Sequence, residues 1–229
     1  MIPKSVKTML KSMLSNDLPP ILLQLVLLLL LLVQGEEAGD SSSFPASCNE
    51  SLPVRALSAS SAYQEAVGAH HGRLDNEAGG GAWCPTGLVS SAASSQPEFL
   101  QLNLGSEDED NTTTEEFVVR AVVLQGRWAN GLGQEFAEQV MIQYWRPGLS
   151  AFRPYVTAQG SAVLEANRDT HSKVLISLKA EADGGQSQGI VASKLRIIPV
   201  SSHPRTVCLR VGLLGCSARG ETSFYSHYL

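Results

Sequence analysis

Four cysteines and five histidines are the residues whose chemistry could be nucleophilic, redox-active or metal-binding, and their spacing is the first thing to weigh. His70, His71, His171, His203 and His227 form no His-Glu-x-x-His run, and Cys48, Cys84, Cys208 and Cys216 form no Cys-x-x-Cys pair, so the metal signal is weak. His70 and His71 are adjacent; in an extended loop neighbouring side chains point apart, which predicts two exposed imidazoles rather than a metal site. Cys84 with a histidine base would make a nucleophile, but an even cysteine count in an exported chain predicts a disulfide instead. Gly79-Gly80-Gly81 lacks the Gly-Lys-Ser/Thr that completes a phosphate loop and reads as a backbone turn ahead of Trp83. The acidic run from Gly105 to Glu116 could offer oxygens to calcium. It has neither EF-hand spacing nor a glycine pivot, so it reads as a solvated hairpin loop carrying a glycan. No constellation of nucleophile, base and oxyanion donors appears, and the chain is expected to be a binding module without catalysis or cofactor.

The cysteine argument depends on compartment, and the N-terminus supplies it. Lys4, Lys7 and Lys11 precede an almost unbroken apolar run from Ile21 to Val33, closed by Gln34-Gly35-Glu36-Glu37. About 13 residues fall short of the roughly 20 that a spanning helix needs and suit the hydrophobic core of a signal peptide. Residues 1–35 are thus expected to be the signal, cut after Gly35 or retained as an anchor, with 36–47 a flexible lead-in. No later apolar run is long enough to stop transfer, which predicts an exported chain. Four cysteines in an oxidising compartment predict two disulfides, with three connectivities open. Sequons at Asn49 and Asn111 fit the same compartment. A net charge of -5, with 17 Lys and Arg scattered along the chain, leaves no basic footprint for nucleic acid.

The elements that must position these residues read as strands. Phe99 to Leu104 alternates apolar and polar, and Phe117 to Leu124 is valine-rich. Val140 to Trp145, Val174 to Leu178, Lys194 to Ile198 and Val207 to Val211 complete the set, separated by Gly, Pro, Ser and Asn clusters. Ser60 to Gly68 is the single short helical candidate, and Ala182 to Gly189 reads as an exposed loop. Short strands at this spacing predict an all-β sandwich or barrel.

Particular blocks carry a resemblance. Leu57 to Tyr63, Gly72-Arg73-Leu74-Asp75, Gly81-Ala82-Trp83-Cys84-Pro85, Glu98 to Leu104, Gln125-Gly126-Arg127, Gly133-Gln134-Glu135-Phe136, Arg196-Ile197-Ile198-Pro199 and Val207 to Cys216 resemble a discoidin, or coagulation-factor type C, domain. Gly-Ala-Trp-Cys-Pro together with Gln-Gly-Arg is most similar to the discoidin domain receptors, and Tyr144-Trp145-Arg146-Pro147 to their invertebrate branch. The resemblance implies an eight-stranded jelly-roll β-sandwich over 48–216, with 217–229 a tail or the start of a linker. It implies bridges Cys48–Cys216 and Cys84–Cys208; closing so long a loop stabilises by about 5 kcal/mol in the chain-entropy model. It also implies an extracellular or plasma-membrane location and binding of fibrillar, triple-helical collagen by loops at one end of the sandwich. The longer receptor would be a homodimerising tyrosine kinase, reaching the membrane through segments outside this chain, which itself shows no kinase motif.

Carried over residue by residue, the implied collagen site contains an Arg127–Glu135 pair and an aromatic residue at Tyr63, where vertebrate receptors have tryptophan. Two positions depart from the vertebrate pattern: Gly80 replaces an aspartate, and Val67 replaces a threonine. Loss of that carboxylate removes a partner for a collagen arginine. The alternative expectation is a secreted discoidin module that binds glycans or membrane surfaces, with Tyr63, Trp83 and Trp128 as its apolar contacts.

Overall fold

A computed structural model describes residues 48–90, 96–105, 115–182, 185–187 and 189–218. Residues 1–47, where a signal and a lead-in are expected, Asn111 with most of the acidic run, and the residues beyond Ala218 expected as a tail or linker lie outside the described residues.

The strands are β1 (Glu50–Ser51), β2 (Ala56–Ala59), β3 (Leu100–Asn103), β4 (Phe117–Gln125), β5 (Gln139–Trp145), β6 (Arg153–Pro154), β7 (Leu164–Glu165), β8 (Val174–Ser177), β9 (Ala180–Ala182), β10 (Gly185–Ser187), β11 (Ile190–Ala192), β12 (Lys194–Val200) and β13 (Arg210–Ser217). They form an antiparallel sandwich. One sheet runs β1-β13-β4-β11, with β8 also paired to β4; the other runs β2-β3-β12-β5-β6, with β7 also paired to β5. Apart from the separate β9–β10 pair, the described strands of these two sheets include eight of three or more residues, in line with the expected jelly-roll; β1, β6 and β7 are two-residue additions at the edges. The segment expected as a loop at Ala182 to Gly189 contains half of a small hairpin, β9 with β10.

Period-2 alternation places the core. Leu100 and Leu102 of β3, Val140 and Ile142 of β5, and Leu195 and Ile197 of β12 are fully buried. Gln101, Gln143 and Arg196 point to the opposite face, in mutual register. Val119, Val122 and Leu124 of β4 face them from the other sheet's share of the core. Each such side chain stabilises the fold by about 1.5–3 kcal/mol through apolar burial.

Three expectations are corrected. The last strand begins at Arg210 rather than Val207, because Cys208 is held in a disulfide and Leu209 pairs with Trp83 instead of with β4. The helical candidate becomes two separate 3-10 turns, Glu65–Val67 and Ala69–Gly72. Because His70 and His71 lie on the second turn and not on an extended segment, their rings meet at 3.9 Å rather than pointing apart.

Candidate functional site

Two disulfides close the domain: Cys48 is bonded to Cys216 and Cys84 to Cys208. The first joins the start of the described chain to the end of β13. The second anchors the loop that follows the Gly79-Gly80-Gly81 turn. Beside it, Trp83 is wholly buried and exchanges backbone hydrogen bonds with Leu209. Its indole Nε1–H donates to the carbonyl of Ser61 at 2.8 Å. Trp83 therefore cannot serve as an apolar surface contact, as the alternative expectation had it. It pins the segment that presents Tyr63, whose own N–H donates to the Cys84 carbonyl at 2.9 Å. Tyr63 is left 69% exposed.

The Gln125-Gly126-Arg127 block has a physical explanation. The side-chain amide of Gln125, at the end of β4, accepts from the Asp75 N–H at 3.0 Å and donates to the His171 carbonyl at 3.0 Å, tying two loops together. Gly126 is packed so closely that a Cβ would lie 2.7–2.8 Å from Phe136, the Glu135 carbonyl and Thr170. Arg127 then donates its Nε–H to the Gly80 carbonyl at 2.6 Å and Nη1–H to Glu135 Oε2 at 3.0 Å. Their backbones also join, Arg127 N–H to the Glu135 carbonyl at 2.9 Å. Both side chains keep about a quarter of their surface exposed (25% and 28%), and among the described residues Arg127 Nη2 meets no acceptor. Burial raises the Glu135 carboxyl, but the Gln134 N–H and the Arg127 guanidinium outweigh it and hold the group below the usual glutamate value. Glu135 is therefore ionised at neutral pH, and Arg127 keeps donors to spare.

Gly80 and Val67 form one packing unit. Gly80 N–H donates to the Ala66 carbonyl at 2.6 Å, and a Cβ at Gly80 would collide with Val67 Cγ1. Val67 is 4% exposed, so it lies beneath the glycine turn as a floor and offers a ligand almost no surface. Its carbonyl accepts from Cys84 N–H at 3.1 Å. The five residues expected at the site are thus brought together: Arg127 and Glu135 by side chains, Gly80 by its carbonyl, Val67 beneath it, and Tyr63 through the backbone of Cys84.

Below this rim lies a residue that the sequence reading passed over. Arg210 is 1% exposed yet charged, and four of its five N–H donors are engaged. Its guanidinium donates to the carbonyls of Gly126 (2.8 Å), Asn76 (3.1 Å) and Thr170 (3.2 Å), and to Glu77 Oε1 (2.6 Å). One side chain therefore fastens three loops to β13. Its signal in the sequence was a lone charge inside the apolar run Val207 to Leu214. A second overlooked feature is the turn after Arg127, where Ala129, Asn130 and Gly131 all take positive φ (44°, 55°, 84°). That turn leaves Leu132 81% and Trp128 38% exposed, with the Trp128 ring 5.2 Å from His171.

At the opposite end of the first bridge, Asn49 is exposed beside Cys48, accessible to a glycan. At the C-terminal end of the acidic run, Glu115 pairs with Arg55 at 3.4 Å and Glu116 with Arg146 at 3.7 Å.

No protein-family model matches the chain. Among curated proteins it is 33% identical over 179 residues to the discoidin domain-containing receptor tyrosine kinase B of Caenorhabditis elegans, covering 78% of this chain and 20% of that protein. It is 37% identical over 171 residues to the discoidin domain-containing receptor A of the same organism, covering 74% and 20%. The chain thus spans about a fifth of the length of these relatives. Among solved structures, discoidin II from Dictyostelium discoideum superposes with a TM-score of 0.52 at 20% identity, over 76% of this chain and 60% of that one, which shows the shared fold. Sandwich, bridges, Trp-Cys block and receptor relatives agree: the chain carries a discoidin domain similar to those of the discoidin domain receptors.

Proposed function

We propose that the loop end of this domain binds triple-helical collagen as the extracellular recognition module of a receptor. The observation that carries the reading is Arg127, fixed in direction by Gly80 and Glu135, and still holding unspent N–H donors at a partly exposed rim. A triple helix presents carbonyls and outward side chains along a rigid rod, and a pre-set guanidinium suits such carbonyls better than a mobile lysine. The exposed ring of Tyr63, with Leu132 and Trp128, supplies apolar contact area around it. The two disulfides and the receptor relatives fit an extracellular or membrane-bound location. By the same reading the longer protein is a homodimeric receptor tyrosine kinase, and this module is non-catalytic. The test is binding of the chain to an immobilised triple-helical collagen peptide: Arg127→Gln weakens it at least about tenfold while the domain stays folded, its melting temperature shifted by no more than a few degrees. Binding undiminished in Arg127→Gln would reject the site.

One observation favours a second reading, a membrane surface. Leu132 stands 81% exposed at the tip of a turn beside Trp128. The net charge of -5 opposes anionic lipid. Co-sedimentation with vesicles of neutral and anionic lipid separates the two readings, and the collagen reading expects no uptake.

A further inference from the structure

Away from the loop end, the outer face of the six-stranded sheet holds a cation that the fold does not spend. Arg196 of β12 lies between two phenyl rings, 4.2 Å from the centroid of Phe99 and 3.9 Å from that of Phe152. Stacking on both faces fixes the guanidinium plane. Its Nε–H donates to Gln101 Oε1 at 2.9 Å. Among the described residues Nη1 and Nη2 meet no acceptor and no carboxylate pairs with the group, so the end-on edge of the fork is open. Burial lowers its pKa, so water alone solvates this charge poorly.

The neighbours are arranged around that edge. Gln143 of β5 stands directly opposite Arg196 in the ladder, and its amide also has no hydrogen-bond partner among the described residues. Both line a groove of about 740 Å³ together with Ser60, Glu98, Phe99 and Ile198. Glu98 is held on the far side by Ser60 Oγ, Ser61 Oγ (2.8 Å) and the Gly87 N–H (3.4 Å), with no cation paired to it among the described residues. The groove therefore offers a bidentate donor, an amide that both donates and accepts, and a carboxylate acceptor.

We propose that this groove is a binding site for a uronate-bearing saccharide. The sugar carboxylate takes the end-on edge of Arg196, and ring hydroxyls hydrogen-bond Gln143 and Glu98. The Glu98 carboxylate decides between ligand chemistries. It repels a run of acidic peptide side chains, which bring no donor to it, whereas each sugar hydroxyl donates. A neutral sugar satisfies Glu98 and Gln143 but leaves the Arg196 edge open. The site is independent of the collagen rim.

The full chain is titrated, with NMR detection of the Arg196 Nε–H and the Gln143 side-chain amide, against an unsulfated hexasaccharide of alternating glucuronate and N-acetylglucosamine. Two further arms use the same hexasaccharide with its carboxyls reduced to alcohols, and an oligoglutamate peptide. The expected result is saturable shifts of both groups with the acidic sugar only. Arg196→Gln is expected to weaken binding about ten- to a hundredfold, and Arg196→Lys to weaken it less, with collagen binding unchanged in both. Gln143→Ala, which leaves the phenyl–guanidinium stack intact, is expected to weaken it severalfold and keeps the test decisive should Arg196 variants unfold. No shift at Arg196 with the acidic sugar overturns the proposal, as does an equal response to the reduced sugar or to oligoglutamate.

Discussion

Two arginines at the loop end differ in what they leave over. Arg210 is buried and gives four of its five N–H donors to three carbonyls and Glu77, and at 1% exposure it offers a ligand no surface. Arg127, above it, uses one donor on Gly80 and one on Glu135 and stays a quarter exposed. The same side-chain type therefore builds the platform in one place and is presented by it in the other. The difference lies in desolvation: a charge fully removed from water must be fully paired, whereas a partly wet one can exchange water for a ligand.

The sharpest way to break this comparison is to remove the platform residue. Arg210→Met strips the partners from Glu77 and three carbonyls and is expected to cost about 3–5 kcal/mol by chemical denaturation, with collagen binding lost as the loops separate. A cost under about 1 kcal/mol would mean that the loops hold together without it. Next in size is the inner bridge. Replacing Cys84 and Cys208 together by alanine is expected to cost about 2–5 kcal/mol, with amide exchange rising at residues 61–68 and 79–84 before β3 and β12.

A smaller effect tests the glycine turn. Gly80→Ala drives a methyl into Val67 and is expected to destabilise by about 1–3 kcal/mol. Combining it with Val67→Ala is expected to recover part of that loss, and strict additivity in the double-mutant cycle would show that the two positions do not touch. Restoring an acidic residue at Gly80 by itself is expected to fail for the same steric reason.

The smallest stability effect belongs to the rim. Arg127→Gln is expected to change folding stability by no more than about 1 kcal/mol, since the pair is partly exposed. Glu135 is held below the usual glutamate value, so its contribution is present above that value and disappears as pH falls through the lowered one. Collagen binding through this pair is therefore expected to be insensitive to Glu135 from neutral pH down through the usual glutamate range, and to weaken only below it. His71, packed under Gly79, is held below the usual histidine value, first by burial and then by the charge of His70. Its contribution to stability is complete above pH 6.5 and declines as pH drops from there toward its own lowered value. A His71→Asn variant is expected to flatten that window in pH-dependent melting.

Much of the sandwich was legible because alternation reports directly which face of a strand meets the core; β3, β5 and β12 lie within a residue or two of where their patterns put them. Arg127, Glu135 and Gly80 were legible through the resemblance of short blocks. What sequence could not convey was depth. Trp83 looked like a surface aromatic until its indole was seen to be satisfied by the Ser61 carbonyl next to a bridged cysteine. Val67 looked like a rim residue but is a floor, since the glycine turn folds over it. Arg210 was invisible because the burial of a charge depends on which distant loops converge, here 76–77, 126 and 170. No local period encodes that convergence.

The most direct test of the account is the binding of this chain, side by side, to native fibrillar collagen and to the same collagen after heat denaturation. The account predicts saturable binding to the triple helix, at least about tenfold weaker binding to the unwound chains, and loss of the difference in Arg127→Gln. Equal binding to native and denatured collagen, or none to either, would contradict it.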